Sequence, residues 1–229
     1  MNVGVYCACG PNPIFLRLFM AQIARQTQLP TFLSIYENGH AISAFSWACG
    51  DIAKELERKG VKILHQHCSA KQPEILWYLT PLQTLQHKTE TDIFLKMDLD
   101  DLYADEYIAN MSGALGKHDV AINLNNAITL VRPFHGDFKY KSSVQMKHSP
   151  IGAAPAHVAF NRRFSAKYLG FLAGFGNRAD VADDDVMASA MEGMDVFKFD
   201  GPCDYTYVSH GNNHSSYAWQ ATGGRIYLD

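Results

Sequence analysis

The stretch Asp92-Ile93-Phe94-Leu95-Lys96-Met97-Asp98-Leu99-Asp100-Asp101 places three carboxylates directly after an apolar run. Asp98 and Asp100 are two residues apart, so they point to one side if the extended geometry persists. Converging carboxylates repel one another unless a cation or a strong donor joins them. Mg2+ or Mn2+ suits such oxygen ligands and keeps coordination positions for phosphates. A divalent metal held here would bridge a diphosphate and neutralise a leaving group. The plainer reading is that Asp100-Asp101 starts the next helix, capping its amides and complementing its dipole. Asp98 precedes that turn, and capping does not account for it.

A second acidic group, Asp183-Asp184-Asp185, opens a helix-like segment after a Gly- and Phe-rich stretch. Capping and a solvated helix face explain such a cluster as readily as chemistry does. As chemistry, Asp183 or Asp184 could take a proton from a bound hydroxyl, an effect worth roughly 10²–10⁴ in rate. Further on, Tyr205-Thr206-Tyr207-Val208-Ser209 is strand-like and leads into His210, with His214 shortly after. A neutral imidazole at either position could complete a metal's coordination.

These groups need elements to hold them. Val3 to Cys9 reads as a strand closed by the breaker Gly10-Pro11-Asn12-Pro13, and apolar residues from Ile14 then recur at helical spacing up to Gln28. Phe32 to Tyr36 is a second strand, ending in Glu37-Asn38-Gly39, and Ile42 to Lys59 a helix stopped by Gly60. Val61 to Leu64 is a third strand, Pro73 to His87 a helix with Pro at its opening, and Ile93 to Met97 a fourth strand. Strands alternating with helices of this length pair in parallel through crossover helices. Ligands of such sheets sit beyond the carboxyl ends of the strands, where Glu37, the segment from His65 to Lys71, and Asp98 to Asp101 fall.

The alternation weakens after a helix expected over Ala104 to Leu115. Val120 to Leu124 and Ala127 to Val131 are candidates to pair with each other. Arg132 to Ser149 is polar and leans basic, a loop or hairpin expected to order over a bound ligand. His157 to Phe160 resumes a strand, Phe164 to Gly170 a short helix, and Asp183 to Glu192 another. No linker or repeat is visible, so one domain is expected over residues 1–229.

Asp98-Leu99-Asp100-Asp101 after an apolar strand resembles the Asp-x-Asp (DxD) element of GT-A glycosyltransferases, especially family-2-like members. The stretch from Phe160 to Met194 resembles their second signature, closest to the acidic motif of β-1,4-galactosyltransferase-like enzymes. Ala182 stands where that motif prefers Glu. The resemblance implies the GT-A (Rossmann-like) nucleotide-diphospho-sugar transferase fold, α/β with a mixed, mainly parallel sheet flanked by helices. Residues 1–101 would be the nucleotide-binding half and 102–229 the acceptor-side half. It implies an inverting transfer from a nucleotide-sugar donor, a UDP-sugar by preference, to a hydroxyl acceptor that is a glycan, lipid-linked or other. Carried over by position, Asp98 contacts the ribose or metal-bound water, Asp100 ligates Mn2+ or Mg2+, and Asp183 is the base with Asp184 next. His210 is the further metal contact with His214 as rival, and Glu37 faces the nucleotide. Lys71 joins the nucleotide-sugar contacts from the residues alone, as a cation able to face phosphate.

The remaining candidates read as structure. Cys7 and Cys9 lie on a buried strand and are expected in the core, their thiols on different faces. His65-Gln66-His67-Cys68 lacks a second ligand pair for zinc. Arg162-Arg163 could face phosphate but is expected in solvent. Trp47 and Trp77 are expected in the core.

Bulk properties narrow the classes. The chain of 229 residues has 20 basic against 23 acidic residues, a formal net charge of −3, and no concentrated basic segment. A dedicated nucleic-acid binder would carry one. An odd five cysteines are not a disulfide framework, which favours a reducing, cytoplasmic setting. No charged-then-apolar leader opens the sequence, and no apolar run approaches the ~18 residues of a membrane span. Peripheral contact with a membrane stays compatible with a lipid-linked acceptor. Two other classes share parts of this pattern. A metal-dependent nucleotidyltransferase would want a basic, Gly-rich phosphate loop, but Val3 to Pro13 holds no Lys or Arg. A non-catalytic sugar-nucleotide-binding module would keep the fold without turnover, and Ala182 is its one support.

Overall fold

The computed structural model describes residues 1–9, 13–39, 41–70, 72, 74–134, 137–147, 158–175, 183–202 and 204–209. The first half alternates as the sequence requires: β1 (Val3–Cys9), α1 (Pro13–Arg25), β2 (Phe32–Asn38), α2 (Phe45–Arg58), β3 (Lys62–Cys68), α3 (Glu74–Lys88) and β4 (Ile93–Lys96). Then follow β5 (Leu102–Tyr103), α4 (Tyr107–Leu115), β6 (Val120–Asn123), β7 (Asn125–Phe134), β8 (Asp137–Lys147), β9 (Val158–Asn161), α5 (Arg162–Gly174), α6 (Asp183–Ala190), β10 (Val196–Phe199) and β11 (Tyr205–Ser209).

Seven strands form one sheet in the order β10-β6-β9-β4-β1-β2-β3, and four form a second, β5-β11-β7-β8. In the large sheet β4, β1, β2 and β3 are parallel, β6 and β10 are parallel to each other, and β9 runs antiparallel between β4 and β6. The expected pairing of Val120–Leu124 with Ala127–Val131 does not occur. At Asn123 the side chain accepts the Asn125 amide at 3.0 Å, while the Leu124 amide bonds Phe199 O at 2.9 Å. That local turn moves the chain from one sheet to the other.

Alternation along each strand builds two cores, one per face. Val3, Val5, Cys7, Leu33, Ile35 and Leu95 meet Leu16, Phe19 and Ile23 of α1, Cys49 and Leu56 of α2, and Met111 of α4. On the other face Tyr6, Phe94 and Phe160 meet Leu82 and Leu85 of α3, Phe164 and Tyr168 of α5, and Met187 of α6. Cys7 and Cys9 lie together in the first core, which corrects the expectation that their thiols point apart, because residues two apart on a strand share a face. Trp47 is also corrected. It is 67% exposed, since α2 begins at Phe45 and buries Ala48, Cys49, Ala53 and Leu56, leaving Trp47 on the opposite stripe with Asp51 and Lys54. Trp77 is half-buried, its indole N–H donating to Gln72 O at 2.8 Å. Arg162 and Arg163 lie at the surface as expected, Arg163 with its side chain 70% exposed, and both are also bonded. Arg162 donates to the carbonyls of Gln86, Thr89 and Thr91 where α3 ends, and Arg163 pairs with Asp119 at 3.1 Å. Cations placed at a helix C-terminus complement its dipole.

Candidate functional site

Because β4, β1, β2 and β3 are parallel and in register, their carboxyl ends share one edge of the sheet. Cys9 is level with Glu37, Glu37 with His67, and Tyr6 with Lys96. Pairing continues one residue past β4, where the Met97 amide bonds Tyr6 O at 3.1 Å, and the acidic turn leaves from there.

That turn is fastened from three directions. The Asp98 amide donates to the Tyr103 phenol oxygen at 2.6 Å. Gln22 of α1 donates to Asp101 O at 2.9 Å and accepts the Tyr103 amide at 2.9 Å. Tyr205 of β11 donates its O–H to Asp101 Oδ2 at 2.7 Å. Asp101 is 2% exposed, and the Tyr103 ring packs against Tyr107 at 4.8 Å and Tyr205 at 5.3 Å between centroids. Burial first, then the nearby Asp101 and Asp98 charges, push the Tyr103 and Tyr205 phenols well up. Tyr205 therefore keeps its proton and remains a donor.

This arrangement divides the three carboxylates. Asp101 is a buried fastening point. The capping reading of Asp100-Asp101 also fails, because α4 starts later than expected, at Tyr107, with Glu106 as its N-cap and no side-chain cap. Asp98 and Asp100 remain partly accessible at the strand edge. Tyr205→Phe removes a donor to a buried carboxylate and is expected to lower stability by about 1.5–3 kcal/mol. A urea titration measures it, and a midpoint equal to the parent's would mean that this bond does not hold the turn.

Sequence reasoning missed Lys96. Its side chain is 4% exposed, with Nζ 3.4 Å from Asp98 Oδ1 and 3.7 Å from the centroid of the Tyr78 ring on α3. The amine thus lies between a carboxylate and a π-face, two attractive environments for a cation. A lysine inside the apolar run Ile93-Phe94-Leu95-Lys96-Met97 was the available signal. A charge at that position is retained only with partners.

Glu37 is fully buried. Both its oxygens accept the Ala44 amide at 3.1 Å at the start of α2, and His65 Nε2 stands 3.5 Å away. Burial pushes the carboxyl up, but donors at His65, Ser43 and Ala44 outweigh it and hold Glu37 below the usual carboxylate range. Next to it, Asn38 accepts the Gln72 amide at 2.9 Å and so ties β2 to the approach of α3. The strand expected to stop at Leu64 continues to Cys68. His65 is therefore a strand residue, its ring stacked on Phe45 at 4.5 Å, rather than part of a loop.

Lys71, His210 and His214 lie outside the described residues, as do the side chains of Asp183 and Asp184. The backbone of α6 begins at Asp183, and its Val186 and Met187 pack in the same core as α5. β11 pairs antiparallel with β5, Tyr205 level with Tyr103 and Thr206 with Leu102. The strand before His210 therefore heads back along the acidic turn. Among the described residues, no group of three or more His, Cys, Asp and Glu is gathered for a metal. Asp98 and Asp100 are carboxylates of the turn that stay partly accessible, and Lys96 lies against the first of them.

No protein-family model and no curated protein matches the chain. Solved structures do. S. aureus TarS 1–349 superposes with a TM-score of 0.62 at 11% identity, over 91% of this chain and 60% of that one. Its complex with UDP-GlcNAc gives 0.61 at 11% identity over 94% and 61%, and its UDP complex 0.57 over 92% and 61%. The fold is GT-A. This chain spans about 60% of the length of those TarS structures. At that identity the likeness shows the fold alone, a mixed, mostly parallel sheet with flanking helices. Among the described residues no helix is long and apolar enough to cross a membrane.

Proposed function

We propose that the protein is a glycosyltransferase that moves a sugar from a nucleotide-sugar donor to an acceptor hydroxyl. The observation that carries this reading is the position of Asp98 and Asp100. They leave β4 at the carboxyl edge of a GT-A sheet, and the same fold in TarS has been crystallised with UDP and with UDP-GlcNAc. UDP-sugars are accordingly the first donors to test.

In this reading Asp98, held by Lys96, meets the ribose or a metal-bound water. Asp100 and His210, or His214, would hold Mn2+ or Mg2+, and the cation would supply charge neutralisation for the departing diphosphate. Lys71 would face phosphate. Glu37 would reach the nucleotide only by leaving its cap on α2, so its contribution is to shape the floor beside Asn38. Asp183 takes the proton from the acceptor hydroxyl, which attacks the anomeric carbon as the carbon–oxygen bond to the diphosphate breaks. The transfer inverts configuration, and Asp184 is the alternative base. The whole chain serves as one catalytic unit, cytoplasmic and bound to no nucleic acid.

The test is a thermal-shift screen of nucleoside diphosphates and their sugars with and without Mn2+. A ligand at a hundred times its Kd should stabilise the fold by about 2.7 kcal/mol. UDP and a UDP-sugar should raise Tm in a Mn2+-dependent way. No shift with any nucleotide sinks the reading. Pyrophosphate release instead of free UDP would transfer it to the nucleotidyltransferases, and tight binding without donor consumption to the binding modules.

A further inference from the structure

We infer that Lys96 is a positioning residue, whose buried ammonium aims the Asp98 carboxylate at neutral hydroxyls of a donor's ribose rather than at a cation. Lys96 ends β4 on the face of the sheet that packs α3 and α5. Phe94, two residues earlier, and Tyr6, level with Lys96 on β1, both lie in that core. The Lys96 side chain is 4% exposed, and its amine meets the Tyr78 ring and Asp98 Oδ1. An ammonium taken out of water costs free energy that its partners must offset. A methionine would fill the same position without that cost, so packing alone does not account for a lysine here.

Asp98 is thereby fixed from both faces of the sheet. Its amide donates to the phenol oxygen of Tyr103, which packs in the α1 and α2 core, and its carboxylate meets Lys96 on the α3 side. The first bond locates the backbone, and the ammonium orients the side chain. The Asp98 side chain still keeps 26% of its surface, so a ligand at the carboxyl edge can reach it. A carboxylate 3.4 Å from an ammonium has its charge partly compensated, and a dication brought to it meets the ammonium's repulsion. Neutral hydroxyls meet no such repulsion and still gain charge-assisted hydrogen bonds. Ribose presents two adjacent hydroxyls. The inference rests on the proposed donor binding and deepens it, by giving Asp98 the ribose and leaving any cation to Asp100.

The test is calorimetric titration of the full chain with UDP and with 2′,3′-dideoxy-UDP, Mn2+ being present throughout. The parent should prefer UDP by roughly tenfold or more, because the analogue lacks the hydrogen bonds to a charged acceptor. Lys96→Met keeps the side-chain length, removes the charge, and should cut that ratio about tenfold. Asp98→Asn should cut it similarly, and Lys96→Met/Asp98→Asn no further, because Lys96 acts through Asp98. A lysine that served only stability, or only the charge of the diphosphate, would weaken both nucleotides equally. A ratio kept at the parental value in Lys96→Met therefore overturns the inference. A parental ratio near one overturns it too, as does a further fall in the double variant. Circular dichroism and Tm establish that the variants fold. The double variant removes both members of the pair and leaves no uncompensated charge, so it serves where Lys96→Met alone does not fold. A parental ratio in the double variant then counts against the inference in the same way. A parent chain that binds neither nucleotide sinks the transferase reading, and the inference with it.

Discussion

Asp183→Asn is expected to lower kcat by roughly 10²–10⁴ while the Mn2+-dependent UDP shift stays at the parental value. The substitution is nearly isosteric and removes the negative charge and with it the ability to accept a proton. An acceptor hydroxyl is a poor nucleophile until its proton is withdrawn in the transition state, so the loss belongs in kcat rather than in donor affinity. In free energy it amounts to about 2.7–5.5 kcal/mol of barrier. α6 begins at Asp183, and packing of Val186 and Met187 against the α5 side fixes where that first turn begins. Asp184→Asn is the paired measurement. A large loss there and none at Asp183 moves the base by one residue. Two variants with full activity would leave the acidic start of α6 with no chemical role.

Asp100→Asn should have the second large effect, of a different kind. If Asp100 ligates the cation, the amide keeps the size and loses the charge, and the Mn2+-dependent part of the nucleotide shift should vanish. Turnover should fall at least a hundredfold, since a cation at a leaving group supplies several kcal/mol of charge stabilisation. The parent protein in EDTA should behave in the same way. The Tm of the free variant should be close to the parent's, because Asp100 is partly exposed and Asp101 supplies the buried fastening to Tyr205. That contrast separates the neighbours: Asp101→Asn should damage stability, Asp100→Asn nucleotide binding. A Mn2+-dependent shift retained in Asp100→Asn would mean that no cation is held at that position.

Much of this molecule was legible from local pattern. Apolar runs of strand length alternating with helix-period segments sufficed for β1 through β4 and the helices between them, since period and length arise within each segment. The acidic turn at the exit of β4 was legible for the same reason, as were the resemblance it carried and the fold that followed. Boundaries were less so: β3 runs on through His65, and α4 starts at Tyr107 rather than Ala104, whose backbone is bonded to Gln26 and Asp204 ahead of a turn into the helix.

What the fold decided are the facts that depend on partners distant in sequence. Asp101 and Asp100 are neighbours of identical chemistry, and nothing in their spacing says that one of them will be buried. Tyr205 decides it, by arriving from the far side of the chain on a strand paired with β5. Lys96 acquires its meaning from Tyr78 on α3 and Glu37 from the start of α2, while β9 inserts between β4 and β6 to complete the sheet. Sequence specifies the local geometry and the type of each side chain. Burial and charge compensation are set by what packs against them, and so became visible only in the assembled fold.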